Sequence, residues 1–503
     1  MHIFIYKAFW PELFLSLSLL LLLLFNSRII HLGQYHFPIL NKEIFIQTFL
    51  ILFLLIFLIF NTNIFGFDVA NFFISNLTTK HLKFLVLLIC FIIFLPIWKA
   101  YVIQKLNFFE YFIIFLIIIL ALLFLLNAFN FLSLYLCLEL QALGFFILAS
   151  FNRTSVLSSE AGLKYFVSSS IISAILLFGI AIIYGLLGTL NFQQLYLLTS
   201  LLHFYIYTHN MLFIILFFSF LCILFALLFK LVIAPFHFWF PQIYDGSPLS
   251  STIIFTVIPK LALFNILIKL CSIFSQICIS LDILLIFIGF YCMLFGIIKM
   301  LQQKRLKKLY IYSGISQLGL PLCVLSDNSF LSFGSIFFFL SLYLLLMALV
   351  WSTFVLFSYN QNILQRKLNR SLFFSLFLNL YTSNTFYAVC ILFIFFSLSA
   401  IPPLSSFLGK IFLFNIIIEN KQVELAIIFI YFGTLGVYYY LKVLKIFFFE
   451  NIKKDRNFQI LTSFKFDFFS LEIFFIVLIL FLLLFIGLYP NLFFMQCLFF
   501  SFF

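Results

Sequence analysis

Apolar runs of about twenty residues recur along this chain from end to end, the length a helix needs to cross the hydrocarbon core of a bilayer. Inside that core no water satisfies backbone N–H or C=O groups, so only helices and closed barrels span it. No window shows ten-residue segments of alternating hydrophobicity, so the runs read as helices and not as barrel strands. Bounded by Asn, Ser, Pro or charge, they number about fourteen, centred near residues 19, 54, 92, 116, 139, 175, 224, 260, 290, 317, 343, 400, 434 and 480. The expected fold class is an all-α polytopic membrane protein. Only 9% of the 503 residues are charged and 66% are hydrophobic, which excludes a soluble multidomain protein. The amino-terminal MHIFIYKAFWPELFLSLSLLLLLLF has a signal-like look, but no small-residue cleavage site follows it, and it reads as the first span.

The net charge of +13 does not point to nucleic acid, because basic residues of membrane proteins collect in loops on the inner side. Numbering the spans assigns loops to alternate sides and sorts the charge unevenly. One side receives Arg28, Lys42, Lys99, Lys105, Arg153, the cluster from Lys299 to Lys308, then Arg366, Lys367 and Arg370, and finally Lys442 to Lys465. The other receives Lys7, Lys80, Lys83 and Lys421. The positive side faces cytoplasm or matrix, and both termini lie opposite. The 83 Phe beside 17 Gly look like codon bias toward A+T and carry no functional weight. The nine cysteines are scattered, without a C-x-x-C pair or a His at metal-ligand spacing, and there is no G-x-G-x-x-G or haem-ligand pair. No metal, cofactor or redox site is expected in this chain.

Two spans carry prolines in matching contexts, LFKLVIAPFHFWFP around Pro235 and LSAIPPLSSFLGK around Pro402 and Pro403. Proline removes a backbone donor and disrupts the preceding turn, so both spans are expected to be broken helices. Interrupted segments at corresponding places in two halves point to transporter-type inverted repeats around a midplane site. The organisation expected is three amino-terminal helices over 1–107, five-helix repeats over 108–274 and 279–449, and a loop with a final helix over 450–503.

Most acids, Glu12 among them, fall at span ends or in loops. Glu139 sits mid-span in LSLYLCLELQALGFFILAS, where an acidic residue costs about 2.5–3.5 kcal/mol on insertion scales. It is read either as a proton-transfer group or as a neutral acid bonded to Ser133 or Gln141. Lys230 follows a long apolar run and precedes the first break, so it needs a partner or a neutral state. A Glu139–Lys230 ion pair is read as a proton switch or as a static bridge between helices. Lys260 follows Pro259, and Lys410 follows the second break, with no acid nearby in sequence. His237 is a candidate relay, its ordinary pKa being near neutrality. Glu160 and Lys164 are spaced to pair on one helix face, continued by Ser168, Ser169, Ser170 and Ser173. Lys269, near a span end, reads as a snorkelling anchor.

The segments SSEAGLKYF, FKLVIAPFHFWFPQIYDGSPL followed by IPK, KRLKKLYIYSGISQLG and SLSAIPPLSSFLGK resemble, in order and spacing, the subunit 2 family of respiratory NADH:quinone oxidoreductase, complex I, whose bacterial counterpart is subunit N. They cover most of residues 130–415; the flanks share only hydrophobicity. The resemblance implies an antiporter-like, proton-translocating subunit in which Glu139 and Lys230 pair, Lys260 continues a hydrated axis and Lys410 ends it. Glu160, Lys164 and His237 support it. Where relatives often carry His, this chain has Gln317. The resemblance also implies that NADH, FMN, iron–sulfur clusters and ubiquinone belong to other subunits. The neighbours implied are the antiporter-like subunit 4 and subunit 4L, within lipid. The expected location is the mitochondrial inner membrane, with both termini in the intermembrane space. A free-standing Mrp-type cation/proton antiporter and a purely structural membrane-arm subunit are the alternatives.

Overall fold

The computed structural model describes residues 8–31, 37–62, 67–69, 71–106, 108–205, 210–275, 280–364, 385–449 and 471–498. The basic residues Lys7, Arg366, Lys367, Arg370, Lys453, Lys454, Arg456 and Lys465, and with them the loop opening the 450–503 segment, lie outside the described residues. Among the described residues eleven helices are long and apolar enough to cross a membrane, or twelve when a pair bent by 88° near Pro490 counts as one span. Shorter apolar helices accompany them. The chain is a multi-pass helical membrane protein, as the apolar periodicity requires.

The chain divides into two compact units. The first takes described residues of Met1–Phe94 and Gln104–Ile283. Its helices are α1 (Trp10–His31), α2 (Phe37–Asn61), most of α3 (Leu77–Ile103), α4 (Glu110–Asn127), α5 (Phe131–Ala149), α6 (Val156–Leu187), α7 (Phe192–Tyr205), α8 (Asn210–Lys230), α9 (Phe240–Gly246), α10 (Leu249–Val257) and α11 (Pro259–Phe274). A short hairpin, β1 (Phe67–Val69) with β2 (Phe73–Ser75), pairs Asp68 with Ile74. Helices α10 and α11 together form the most enclosed span of this unit, 94% buried, so residues along it meet protein on every side. Helix α5 packs between α4 and α6, and α6 packs along α8.

The start of α5 is fixed by a capping box. Asn130 accepts from Leu132 N–H at 3.1 Å, and the Ser133 hydroxyl accepts from the Asn130 N–H. Asn130 also donates to Asn191 at 3.0 Å, and Ser133 donates to the Phe72 carbonyl at 2.9 Å. These bonds set the register of α5 and place Glu139 about 12 Å inward from its first residue.

The second unit takes Leu95–Ile103 and Leu284–Leu498. It contains most of α12 (Ser280–Gln302), then α13 (Leu306–Val324), a 3-10 turn (Leu325–Asp327), α14 (Phe330–Leu364), α15 (Thr385–Leu398), α16 (Ser405–Glu419), α17 (Val423–Phe449), α18 (Leu471–Leu488) and α19 (Pro490–Leu498). Its core is α14, buried from Ser332 to Leu356 and flanked by α16, α18 and α19.

One interruption in each unit, after α8 and after α15, uses the same backbone device. After α8, Val232 has φ +65° while its N–H donates to the Phe229 carbonyl, and the Ile233 N–H reaches back to Leu228. After α15, Ala400 has φ +58°, its N–H donates to Ser397, and Ile401 reaches back to Phe396. Both are Schellman closures with a left-handed residue, usually glycine, at the turn. Proline follows three positions later in each, at Pro235 and Pro403. A β-branched residue pays a steric penalty in the left-handed region, and at Val232, 5% exposed, the burial of its side chain offsets that penalty.

Candidate functional site

The break after α8 determines where Lys230 stands. Lys230 is the last helical residue, at the negative end of the helix dipole, a position that favours a cation. Its ammonium donates to the Leu138 carbonyl of α5 at 3.3 Å, one residue before Glu139. Lys230 and Glu139 are near enough for their charges to interact, but they form no direct ion pair. Glu139 Oε1 is buried without a hydrogen-bond partner, as is Gln141 Oε1. Neither Ser133 nor Gln141 holds the Glu139 carboxyl: Ser133 is committed to Phe72 and Asn130.

A cavity of about 30 Å³ lies against Lys230, bordered by Leu138, Gln141, Tyr165, Ser169 and Trp239. This holds roughly one or two waters. Its walls are aromatic. Trp239 stacks on Phe229 at 5.0 Å and meets Tyr165 edge-on at 5.4 Å, while Phe145 packs against Phe255 at 4.9 Å. Trp239 Nε1 is also buried without a partner, so acceptor and donor atoms of Gln141 and Trp239 and the Lys230 ammonium converge on a space of water size.

Lys260 is 6% exposed, in the first turn of α11 directly after Pro259, whose ring borders the same cavity. His237 is 2% exposed within the break and beside Phe238, outside the cavity lining. Glu160 and Lys164 pair at 2.6 Å on α6, about half-exposed, and Lys164 also donates to Gln242 of α9 at 3.2 Å. Exposed pairs of this kind contribute little, so Glu160→Gln is expected to change thermal stability by less than about 0.5 kcal/mol in a melting measurement. Ser168, Ser169, Ser170 and Ser173 return their hydroxyls to carbonyls three residues back on α6.

In the second unit, Lys410 lies on the other side of its break, in the second turn of α16. The two breaks correspond in backbone, whereas Lys230 precedes one and Lys410 follows the other. Lys410 borders a chamber of about 290 Å³ with Gln317, Ser399, Thr434 and Tyr440, enough for on the order of ten waters. Gln317 donates to the Leu398 carbonyl at 3.3 Å, satisfying a free acceptor at the end of α15 while facing the chamber.

The sequence reading missed one buried pair. Lys83, assigned above to a loop, and Glu12, assigned to a span end, are each 1% exposed and pair at 2.5 Å between α3 and α1. Glu12 also accepts from Asn127 at 3.0 Å. Their separation in sequence hid them; only the helical phase of Lys83, six residues into α3, hinted at an inward position. Lys269 is no snorkelling anchor either: its ammonium donates to the Leu126 and Ala128 carbonyls at 3.3 and 3.5 Å, at the end of α4.

Interrupted helices with lysines at their breaks, cavities beside those lysines and a buried acid with a free oxygen are the features of this site. Residues 128–436 match the family model of the NADH:quinone oxidoreductase/Mrp antiporter transmembrane region. The chain belongs to this family. It is 32% identical over 334 residues to NADH-quinone oxidoreductase subunit N of Pelagibacter ubique, covering 66% of this chain and 67% of that protein. It is 31% identical over 363 residues to subunit N of Bartonella bacilliformis, covering 70% of each. Its fold is similar to a chain of respiratory complex I from Thermus thermophilus, with TM-score 0.72 at 20% identity over 96% of this chain and 98% of that one. A chain of the Mrp complex from Dietzia sp. gives TM-score 0.78 at 15% identity over 98% and 97%.

Proposed function

We propose that this chain is a proton-translocating membrane-arm subunit of an NADH:quinone oxidoreductase, with Glu139 and Lys230 as its switch. The observation that carries the reading is Lys230 at a helix break beside a water-sized cavity, near enough to Glu139 for their charges to interact without forming an ion pair. A unit charge pair at about 4 Å and an effective dielectric near 20 is worth about 4 kcal/mol, roughly a thousandfold in an equilibrium. Closing or opening the gap therefore decides whether Lys230 keeps its proton. Quinone reduction elsewhere in the assembly changes charge along the membrane arm and sets that gap. A proton released by Lys230 enters the cavity water and moves to Lys260. In the second unit Lys410 and its chamber, with Gln317 orienting water, form the last station. Glu160 and Lys164 relay charge changes at the surface of α6, and His237 supports the break.

The matching Schellman closures support two inverted five-helix repeats over residues 108–274 and 279–449, after three helices in 1–107 and before the last span in 450–503. Taking each proline-broken helix and the bent terminal pair as single spans beside the eleven brings the count to fourteen. The loop charges support termini in the intermembrane space of a mitochondrial inner membrane, with neighbours resembling subunits 4 and 4L. NADH, FMN, iron–sulfur clusters and ubiquinone are then handled by other subunits. The likeness to the Mrp chain favours a second reading, a free-standing cation/proton antiporter. Detergent extraction separates them: this chain is expected to migrate with an NADH-oxidising assembly on native gels, and migration alone with retained cation/proton exchange would overturn the assignment.

A further inference from the structure

A second set of ionisable side chains is buried in the first unit, apart from Glu139 and Lys230. Glu12 lies in the first turn of α1, Lys83 in the second turn of α3 and Asn127 at the last position of α4. Glu12 Oε1 accepts from the Asn127 amide at 3.0 Å and lies 2.5 Å from the Lys83 ammonium, an ion contact without hydrogen-bond geometry. The Phe9 ring lies 5.6 Å from the same ammonium. The other carboxylate oxygen, Glu12 Oε2, is buried with no hydrogen-bond partner, and so is Asn127 Oδ1. Lys269 holds the carbonyls on either side of Asn127, those of Leu126 and Ala128. Three residues of backbone therefore connect an acid with a free oxygen to a lysine that shares α11 with Lys260. Nine residues separate Lys260 from Lys269, about 13.5 Å along the helix and on opposite faces of it, so transfer between them runs around α11 through water.

A pair serving only to lock α1 against α3 would use both carboxylate oxygens, because a buried, unpaired acceptor is costly. The open Oε2 beside the open Asn127 Oδ1 instead leaves room in the bonding scheme for a water or a proton. Ionisable groups inside membrane spans are by default candidates for proton relays. The dipoles agree with the placement: the positive end of α1 holds Glu12, and the negative end of α4 holds Lys269.

Resting on the proton-translocating function above, we propose that Glu12, Lys83, Asn127 and Lys269 form a proton-release site that gives the first unit an exit of its own, in addition to the station at Lys410. The Lys269 ammonium gives a proton to water at Asn127, and that water gives one to Glu12 Oε2. Lys269 becomes the neutral amine and Glu12 the neutral acid, while Lys83 stays charged, so the set keeps a net charge of one. Glu12 then loses its proton to the aqueous phase beyond the end of α4, and reloading of Lys269 from Lys260 restores the starting state. The end of α4 falls on the side that the loop charges assign to the intermembrane space, which makes this an exit.

The test uses the intact NADH-oxidising complex carrying this chain, reconstituted in sealed vesicles. Protons moved per NADH are compared for the parent, Lys230→Ala, Lys269→Gln and the double variant Glu12→Gln/Lys83→Gln, which removes both charges of the pair together. Lys269→Gln and the double variant are expected to lower protons per NADH measurably and to slow proton translocation at least twofold, with uncoupled NADH–quinone turnover within twofold of the parent. Infrared difference spectra during turnover are expected to show a protonated-carboxyl band that Lys269→Gln suppresses. Parental proton stoichiometry in Lys269→Gln, with that band absent from the parent or unaffected by the variant, overturns the proposal even where the double variant does not assemble. If Lys230→Ala alone is impaired, the release site fails and the switch stands. If no variant is impaired, the functional reading fails with it.

Discussion

Lys230→Ala is expected to abolish the proton translocation carried by this chain and to slow coupled NADH–quinone turnover of the assembly about tenfold. Lys230 is the cation bordering the cavity next to Glu139, and its position at the end of α8 is set by the Schellman closure through Val232 and Ile233. Removing the ammonium deletes the charge whose approach to Glu139 would be worth about 4 kcal/mol at contact, and leaves Glu139 with nothing to exchange. Lys230→Arg separates this role from a static one. Arginine keeps the charge and a donor for the Leu138 carbonyl but does not deprotonate in proteins, so the assembly should form and translocation should stay lost. Proton uptake into vesicles measures both. Recovery of pumping with arginine would show that the lysine only braces α5 against α8.

Gly319→Val is expected to lower the amount of assembled subunit at least fivefold, measured by quantitative blotting of native gels. A Cβ at Gly319 of α13 would stand 2.5 Å from the Gly289 carbonyl oxygen of α12 and 2.6 Å from Met293. A Cβ at Gly289 meets the Gly319 carbonyl at 2.6 Å, and one turn pair further along Gly296 meets Ser316 at 2.7 Å. The two backbones touch along this line, the contact small residues allow between membrane helices. Valine would force the helices apart, at a cost of about 1–3 kcal/mol or more. Gly185→Ala in α6, where nothing lies within 4 Å of the added carbon, is the matched control and should leave assembly unchanged.

Much of the candidate site is legible in the sequence because its residues are expensive where they stand. A charge in a twenty-residue apolar run is visible without any structure, which is how Glu139, Lys230, Lys260 and Lys410 were found. The prolines likewise announced interruptions at 235 and 402–403. Glu12 and Lys83 escaped because each stands near a span end, where a charge costs little if it faces water. Their burial depends on α1, α3 and the end of α4 meeting. Lys269 escaped for the same reason: an ammonium near a helix end reads as a membrane-surface anchor until a neighbouring helix presents its terminal carbonyls.

The sequence by itself determined that the chain spans a membrane as helices, where two of them break and which charges are stranded among apolar residues. These follow from local costs: an unsatisfied backbone group, a missing proline N–H, a charge without water. Only the tertiary structure decided that Lys230 stands beside a small cavity, near Glu139 but without an ion pair to it, that Lys230 and Lys410 sit on opposite sides of equivalent breaks, and that Glu12 and Lys83 are interior. Such facts depend on the helical phase and mutual placement of segments up to 115 residues apart in sequence. An all-apolar helix carries no polar face to report which side turns inward.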